Sequence, residues 1–334
     1  MSLSVWTGLG LTLLAGLACG NCMFPMKLAR RWQWENLWLI FSLVSLVALP
    51  WILAASLVGR LAAVYALTGL GGMALPFFLG AGWGIAQILF GLSIARLGLA
   101  LGYAIIVGLG SLGGTLIPLA INNRSVIASS KGALIFTGLA VMTAGIIVSA
   151  RAGSRREQGT GRPAGASYAT ALALAVVCGL MAPMLNYSFA FGQIIATHAT
   201  ELGSSPTRAA FAVWPITLAG GLLPNLGYCI YLLSKNGSWR LYRGASWHDA
   251  SLATSMGLLW MGSMAIYGVA AVYLGKLGTS VGWGLFQIFM IITANLSGLL
   301  TGEWRAAPHA ARHQLYSGLA LLILATLLLA TSNR

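Results

Sequence analysis

The sequence predicts an all-α membrane protein in which ten transmembrane helices form two inverted five-helix repeats. Three observations carry that expectation. Hydrophobic residues make up 58% of the 334 positions and charged residues only 7%, where an average soluble domain is about 25% charged. Apolar runs of about twenty residues recur along the chain, long enough as helices to cross a ~30 Å hydrocarbon layer, whereas barrel strands would be shorter and alternating. Two internal echoes then set the first five runs against the second five.

The runs follow one another between polar punctuation. The first covers 4 to 24 and lacks the basic segment that opens a cleaved signal, so it is expected to stay as a span. The second, 36 to 57, starts just after Glu35, and the third, 72 to 95, stops at Arg96. The fourth, 98 to 121, follows with only Arg96 and Leu97 between, and the fifth, 131 to 150, lies between Lys131 and Arg151. The second half repeats the theme with 168 to 195, 209 to 233, 250 to 274, 279 to 300 and 313 to 331.

Charge orients these runs. Thirteen of the nineteen Lys and Arg follow odd-numbered runs: Lys27, Arg30, Arg31, Arg96, Arg151, Arg155, Arg156, Arg162, Lys235, Arg240, Arg243, Arg305 and Arg312. Six lie on the other side. The positive-inside bias puts the larger set in the cytoplasm and both termini outside, in the periplasm of a bacterial inner membrane. A net charge of +14 confined to such loops reflects topology and anionic membrane lipid, and no basic soluble domain is present to bind nucleic acid. Cys19, Cys22, Cys178 and Cys229 sit in or beside apolar runs without zinc-ligand companions, so no metal or other cofactor is expected, and they read as small packing residues.

The echoes are specific in register. Arg96-Leu-Gly-Leu-Ala-Leu-Gly-Tyr103 matches Lys276-Leu-Gly-Thr-Ser-Val-Gly-Trp283 at a shift of 180 residues, and Cys19-Gly20 before Pro25-Met26 resembles Cys178-Gly179 before Pro183-Met184. Together they predict repeats over 1–150 and 168–334, joined by a basic cytoplasmic linker over 151–167. An odd number of spans per copy inserts the second copy upside down, an architecture of secondary transporters.

The interior holds no Asp or Glu deep in a run, as a fixed ionic partner for a charged solute would require. It offers amides and aromatics instead, a set suited to a neutral polyhydroxylated solute, because amides both donate and accept and flat rings pack on C–H faces. Trp83 and Gln87, one turn apart in the third run, are matched in spacing by Trp283 and Gln287 in the ninth. These four, with Asn186 and the adjacent Tyr187, are the candidate substrate contacts. The same residues also fit a purely structural role, tryptophans as interfacial belt and glutamines as bonds between helices. Proton coupling needs a titratable group with alternating access, for which His198 and Glu201, three apart, and Glu35 and Glu303 at run ends are the candidates. Each also fits as a solvated helix end. Four-residue glycine pairs, among them Gly16/Gly20, Gly80/Gly84, Gly98/Gly102 and Gly110/Gly114, predict close helix contact. Gly108, Gly110 and Gly113 have dinucleotide-loop spacing, yet they lie inside the fourth run and the next acid, Glu157, is 44 residues beyond Gly113. They are expected to form a helix surface. No metalloprotease, phosphate-loop or catalytic-triad pattern marks the chain as an enzyme.

Several stretches taken together carry a resemblance: Lys27-Leu-Ala-Arg-Arg-Trp-Gln-Trp-Glu-Asn-Leu-Trp38, Leu49-Pro50-Trp51, Gly80-Ala-Gly-Trp-Gly-Ile85, Gly113-Gly114-Thr115, Asn225-Leu226-Gly227 and Gly302-Glu303-Trp304. The chain resembles the L-rhamnose–proton symporter family of the drug/metabolite transporter superfamily over nearly its whole length. The resemblance implies the drug/metabolite transporter fold and import of L-rhamnose or a related deoxy-sugar with protons. It adds Asn225 to the substrate candidates and weight to Glu35, Glu303 and His198. Export or facilitated passage of another neutral metabolite is the alternative within transporters. A membrane sensor or scaffold is the alternative outside them.

Overall fold

The computed structural model describes residues 3–97, 99–156, 168–244 and 246–332. Ten helices in it are long and apolar enough to span a membrane: Ser4–Leu28, Trp34–Leu57, Leu61–Ile94, Leu101–Asn122, Ser130–Arg156, Ala169–Glu201, Pro206–Lys235, Trp247–Leu277, Val281–Leu300 and His309–Ser332, here spans one to ten. No strand occurs among the described residues. Helices dominate because lipid offers no partner to a backbone N–H or C=O, so each must be satisfied within its own segment.

Where a span departs from regular helix, a proline or glycine explains it. Span one ends its α-helix at Asn21 and continues as a 3₁₀ turn, Phe24–Leu28, around Pro25. Span two widens to a π-helical turn over Leu43–Ala48 immediately before Pro50, whose missing N–H breaks the normal register. Span three begins at Leu61, eleven residues before the expected 72, because the helix runs on through a break at Gly69 (φ 64°, ψ 170°). Span six reaches Glu201 instead of 195 as three pieces, Tyr168–Met181, Met184–Phe191 and Gln193–Glu201, divided at Pro183 and Gly192. Sequence periodicity alone cannot see through such breaks. The helix of span five continues through Arg156. The rest of the expected linker, 157–167, and Gly98 of one expected glycine pair lie outside the described residues.

Span one packs on spans eight and nine, and span six on spans three and four. Span three crosses span seven, span two meets span eight, four meets nine, and five runs along ten. Span three and span seven approach backbone to backbone, for a side chain at Gly80 would strike the Thr217 carbonyl and one at Gly220 the Phe77 carbonyl.

Alternation of direction gathers the loops after odd-numbered spans at one end of the bundle, the basic end. Two buried acids fasten them. Asp249 accepts the backbone N–H groups of Arg30, Arg31 and Trp32 at 3.0, 2.8 and 2.9 Å. Glu35 accepts the Asn236 amide at 2.9 Å and the Ser238 hydroxyl at 2.7 Å. Each ties the loop after span one to the opposite half of the chain.

Candidate functional site

The centre of the bundle is built from aromatic rings and amides in two adjoining groups. The break at Pro183 restarts span six as a short helix buried over residues 185–190, and Asn186 in its first turn faces three neighbours. Its Nδ2 donates to the Gly114 carbonyl at 2.9 Å and to the Thr279 carbonyl at 2.8 Å, while its Oδ1 accepts the Tyr267 hydroxyl at 2.7 Å. One side chain thus joins spans four, six and eight and the turn before span nine. Trp283 donates to the Gly110 carbonyl at 3.3 Å and lies edge-on to Tyr267, with Phe286 beside both. A side chain at Gly114 would run into the Trp283 indole nitrogen, and one at Gly113 would come within 2.8 Å of the Tyr187 hydroxyl oxygen. Of the glycines with dinucleotide-loop spacing, Gly113 makes room for Tyr187 and Gly110 accepts from Trp283 through its carbonyl, while the neighbouring Gly114 makes room for the Trp283 ring.

The second group is a run of rings, Trp34 on Trp38 (4.9 Å, stacked), Trp38 on Phe41 (4.8 Å), Phe41 edge-on to Trp260 (6.1 Å) and Trp260 stacked on Trp83 (5.3 Å). Offset and edge geometries at these separations are favourable for aromatic pairs. Asn225 is bound into this run: its Oδ1 accepts the Trp38 indole N–H at 3.0 Å and its Nδ2 donates to the Gly221 carbonyl at 2.8 Å.

The candidate amides thus fall into two classes. Asn186 and Asn225 are occupied by protein partners. Gln87, half-buried, and Gln287, 8% exposed, have no hydrogen bond to any described residue. A primary amide carries two donors and two acceptor lone pairs, so each of these two is open to a further partner. Each lies one turn beyond a buried tryptophan, Trp83, which stacks on Trp260, or Trp283, which packs against Tyr267 and Phe286.

The titratable candidates stand at the two ends. Glu303 is at the basic end, paired with Lys27 and 3.6 Å from the Arg156 guanidinium, with one-third of its side chain exposed. The Lys27 ammonium, hydrogen-bonded to it, holds the Glu303 carboxyl below the usual glutamate range, assisted by Arg156 and Thr301 and opposed by partial burial. At the opposite end, His198 Nδ1 lies 2.9 Å from the Thr68 hydroxyl, next to the break at Gly69, and Glu201 is exposed on the last turn of span six. The structure brings Glu303 together with two cations and leaves His198 and Glu201 at the far end of the bundle from it.

Sequence reasoning passed over Trp38 and Asp249 as contacts and counted Trp260 only among the interior aromatics. Trp38 and Trp260 are tryptophans among twelve, and no spacing marks the pair. Asp249 had a signal, an acid at the head of an apolar run, facing a basic loop.

A family model described as L-rhamnose-proton symport protein (RhaT) matches residues 1–332. Among curated proteins, the L-rhamnose-proton symporters of Escherichia coli strain K12 and of Shigella boydii serotype 18 are each 28% identical over 322 residues, covering 93% of this chain and 94% of theirs.

Proposed function

Because the chain belongs to the L-rhamnose-proton symport family, we propose that it imports L-rhamnose, or a closely related deoxy-sugar, together with protons across a bacterial inner membrane. The family match over nearly the whole chain carries this reading. The interior is consistent with it, being lined by amides and aromatics suited to a neutral polyol.

We read the architecture as two inverted repeats of five spans, and span pairing supports this. Exchanging each span with the one five places away turns one-against-eight into six-against-three, one-against-nine into six-against-four, and three-against-seven into eight-against-two, and all of these pairs are in contact. Trp83 and Trp260, from corresponding spans three and eight, stack on one another. Rocking of the halves about that centre gives alternating access. The basic end is cytoplasmic on this reading, with both termini periplasmic.

In this mechanism Gln87 and Gln287 hydrogen-bond the sugar hydroxyls, with Trp83 and Trp283 against the ring. Asn186, Tyr187 and Asn225 shape the site and hold the spans around it. Glu303 is the favoured coupling carboxylate, since protonation would release Lys27 and Arg156 and loosen the contact between spans one, five and nine. His198, beside the hinge at Gly69, is its counterpart on the other side; Glu35 and Glu201 are secondary candidates. Uptake of radiolabelled L-rhamnose into proteoliposomes tests the reading. Accumulation driven by an inward proton gradient is expected, and no uptake with or without the gradient would overturn it.

A further inference from the structure

The basic end holds a second set of open polar atoms, apart from the central glutamines. A cavity of about 210 Å³ lies there between spans four, five and nine, and its wall includes Tyr103, Arg156, Asn295, Gly298, Glu303 and Trp304. The Tyr103 hydroxyl and the Trp304 indole N–H have no hydrogen bond to a described residue. Asn295 donates Nδ2 to the Ile291 carbonyl at 2.8 Å, which leaves its Oδ1 open. Gly298 keeps the wall clear, because a side chain there would stand 3.3 Å from Trp304 Nε1 and 3.4 Å from Glu303 Oε2. The Arg156 guanidinium sits over the Trp304 ring, 4.8 Å from its centroid, and steadies it.

These groups match one class of ligand. Donors (the tyrosine, the indole and the guanidinium) face acceptors (the Asn295 amide oxygen and the Glu303 carboxylate), and a hydroxyl can serve both. A net anion would meet Glu303 and a net cation Arg156, so a neutral polyhydroxylated ring fits best. The location links it to the central site, since Gln287, Ile291 and Asn295 are spaced by four and share one face of span nine, about 12 Å from end to end.

We propose that this cavity is an inward-side sugar subsite, reached from Gln287 along one face of span nine, where Tyr103, Asn295 and Trp304 hold the sugar before release. The proposal rests on the reading of the chain as a sugar transporter. It is tested by photolabelling the full-length protein in lipid nanodiscs with a diazirine derivative of L-rhamnose and mapping the modified peptides by mass spectrometry. Labelling that excess L-rhamnose competes away is expected on peptides from spans five and nine that border the cavity, as well as near Gln87. Asn295→Ala and Trp304→Phe should each weaken the competed labelling at the cavity by about three- to tenfold, the value of one neutral hydrogen bond, while labelling near Gln87 persists. Competed labelling near Gln87 with none at the cavity would overturn the subsite and leave the transport reading standing. The absence of competed labelling anywhere would overturn both. Cavity labelling that sugar does not displace but added phospholipid does would assign the cavity to a lipid headgroup and overturn the subsite.

Discussion

Replacing Asn186 by Ala and Gln287 by Ala should have opposite consequences, although both are buried amides at the centre of the bundle. Asn186 makes three hydrogen bonds between spans, to Gly114, Thr279 and Tyr267. At about 0.6 kcal/mol per interhelical bond, with ~1.7 as the upper value in a membrane protein, their loss costs about 2 kcal/mol and at most about 5. Gln287 has no bond to lose. Its truncation removes one methylene, worth about 0.8 kcal/mol, and no hydrogen bond, so the loss of stability should stay below about 1 kcal/mol. Reversible unfolding in mixed micelles with rising dodecyl sulfate reads the first quantity, and the half-saturation for L-rhamnose uptake reads the second. Asn186→Ala should lower stability by about 2 kcal/mol, and Gln287→Ala should lower it by less than about 1 kcal/mol while raising half-saturation by roughly two- to tenfold for each bond lost to the sugar. An Asn186→Ala protein within about 0.5 kcal/mol of the parent, inside the usual range for inconsequential surface changes, would refute this division. So would a destabilised Gln287→Ala protein with unchanged half-saturation.

Three further outcomes follow from the geometry. Gly114→Ala should cost about 1–3 kcal/mol by overpacking, because the Trp283 ring it meets is fixed by Gly110, Tyr267 and Phe286; unchanged unfolding in the same titration would show that the ring yields. At Gly69 nothing lies within 4 Å of an added Cβ, so Gly69→Ala isolates the cost of a positive φ, about 1–3 kcal/mol, read as a lowered melting temperature. Glu303, whose carboxyl is depressed chiefly by Lys27, contributes stability that is present above the ordinary glutamate value and is lost as pH falls through its lower folded value. Melting measured from neutral pH down through that range should therefore fall less in Glu303→Gln than in the parent, and equal slopes would contradict the pairing.

Much of this was legible in the sequence, for a reason that also sets the limit. Lipid demands long apolar helices, so hydropathy finds all ten spans. Their ends depend on local breaks, and so the start at Leu61 and the extension to Glu201 depended on how Gly69, Pro183 and Gly192 fold. The glycines of the fourth span could be read as a packing surface by elimination. That Gly114 receives Trp283 could not, because its partner is 169 residues away. The distinction between occupied and open amides was equally invisible: Asn186 and Gln287 look alike as residues, and the carbonyls of Gly114 and Thr279 and the Tyr267 hydroxyl separate them. Trp304 and Tyr103 were visible as part of a family motif and a repeat, but their place on one cavity wall with Asn295 comes from how spans four, five and nine meet.

In a symporter, sugar and proton move together. Adding L-rhamnose to lightly buffered, de-energised membrane vesicles containing the protein, in the native orientation, and following external pH tests it in one recording. A transient alkalinisation is expected, abolished by a protonophore and lost in Glu303→Gln. Entry of labelled L-rhamnose with no change in external pH would contradict it.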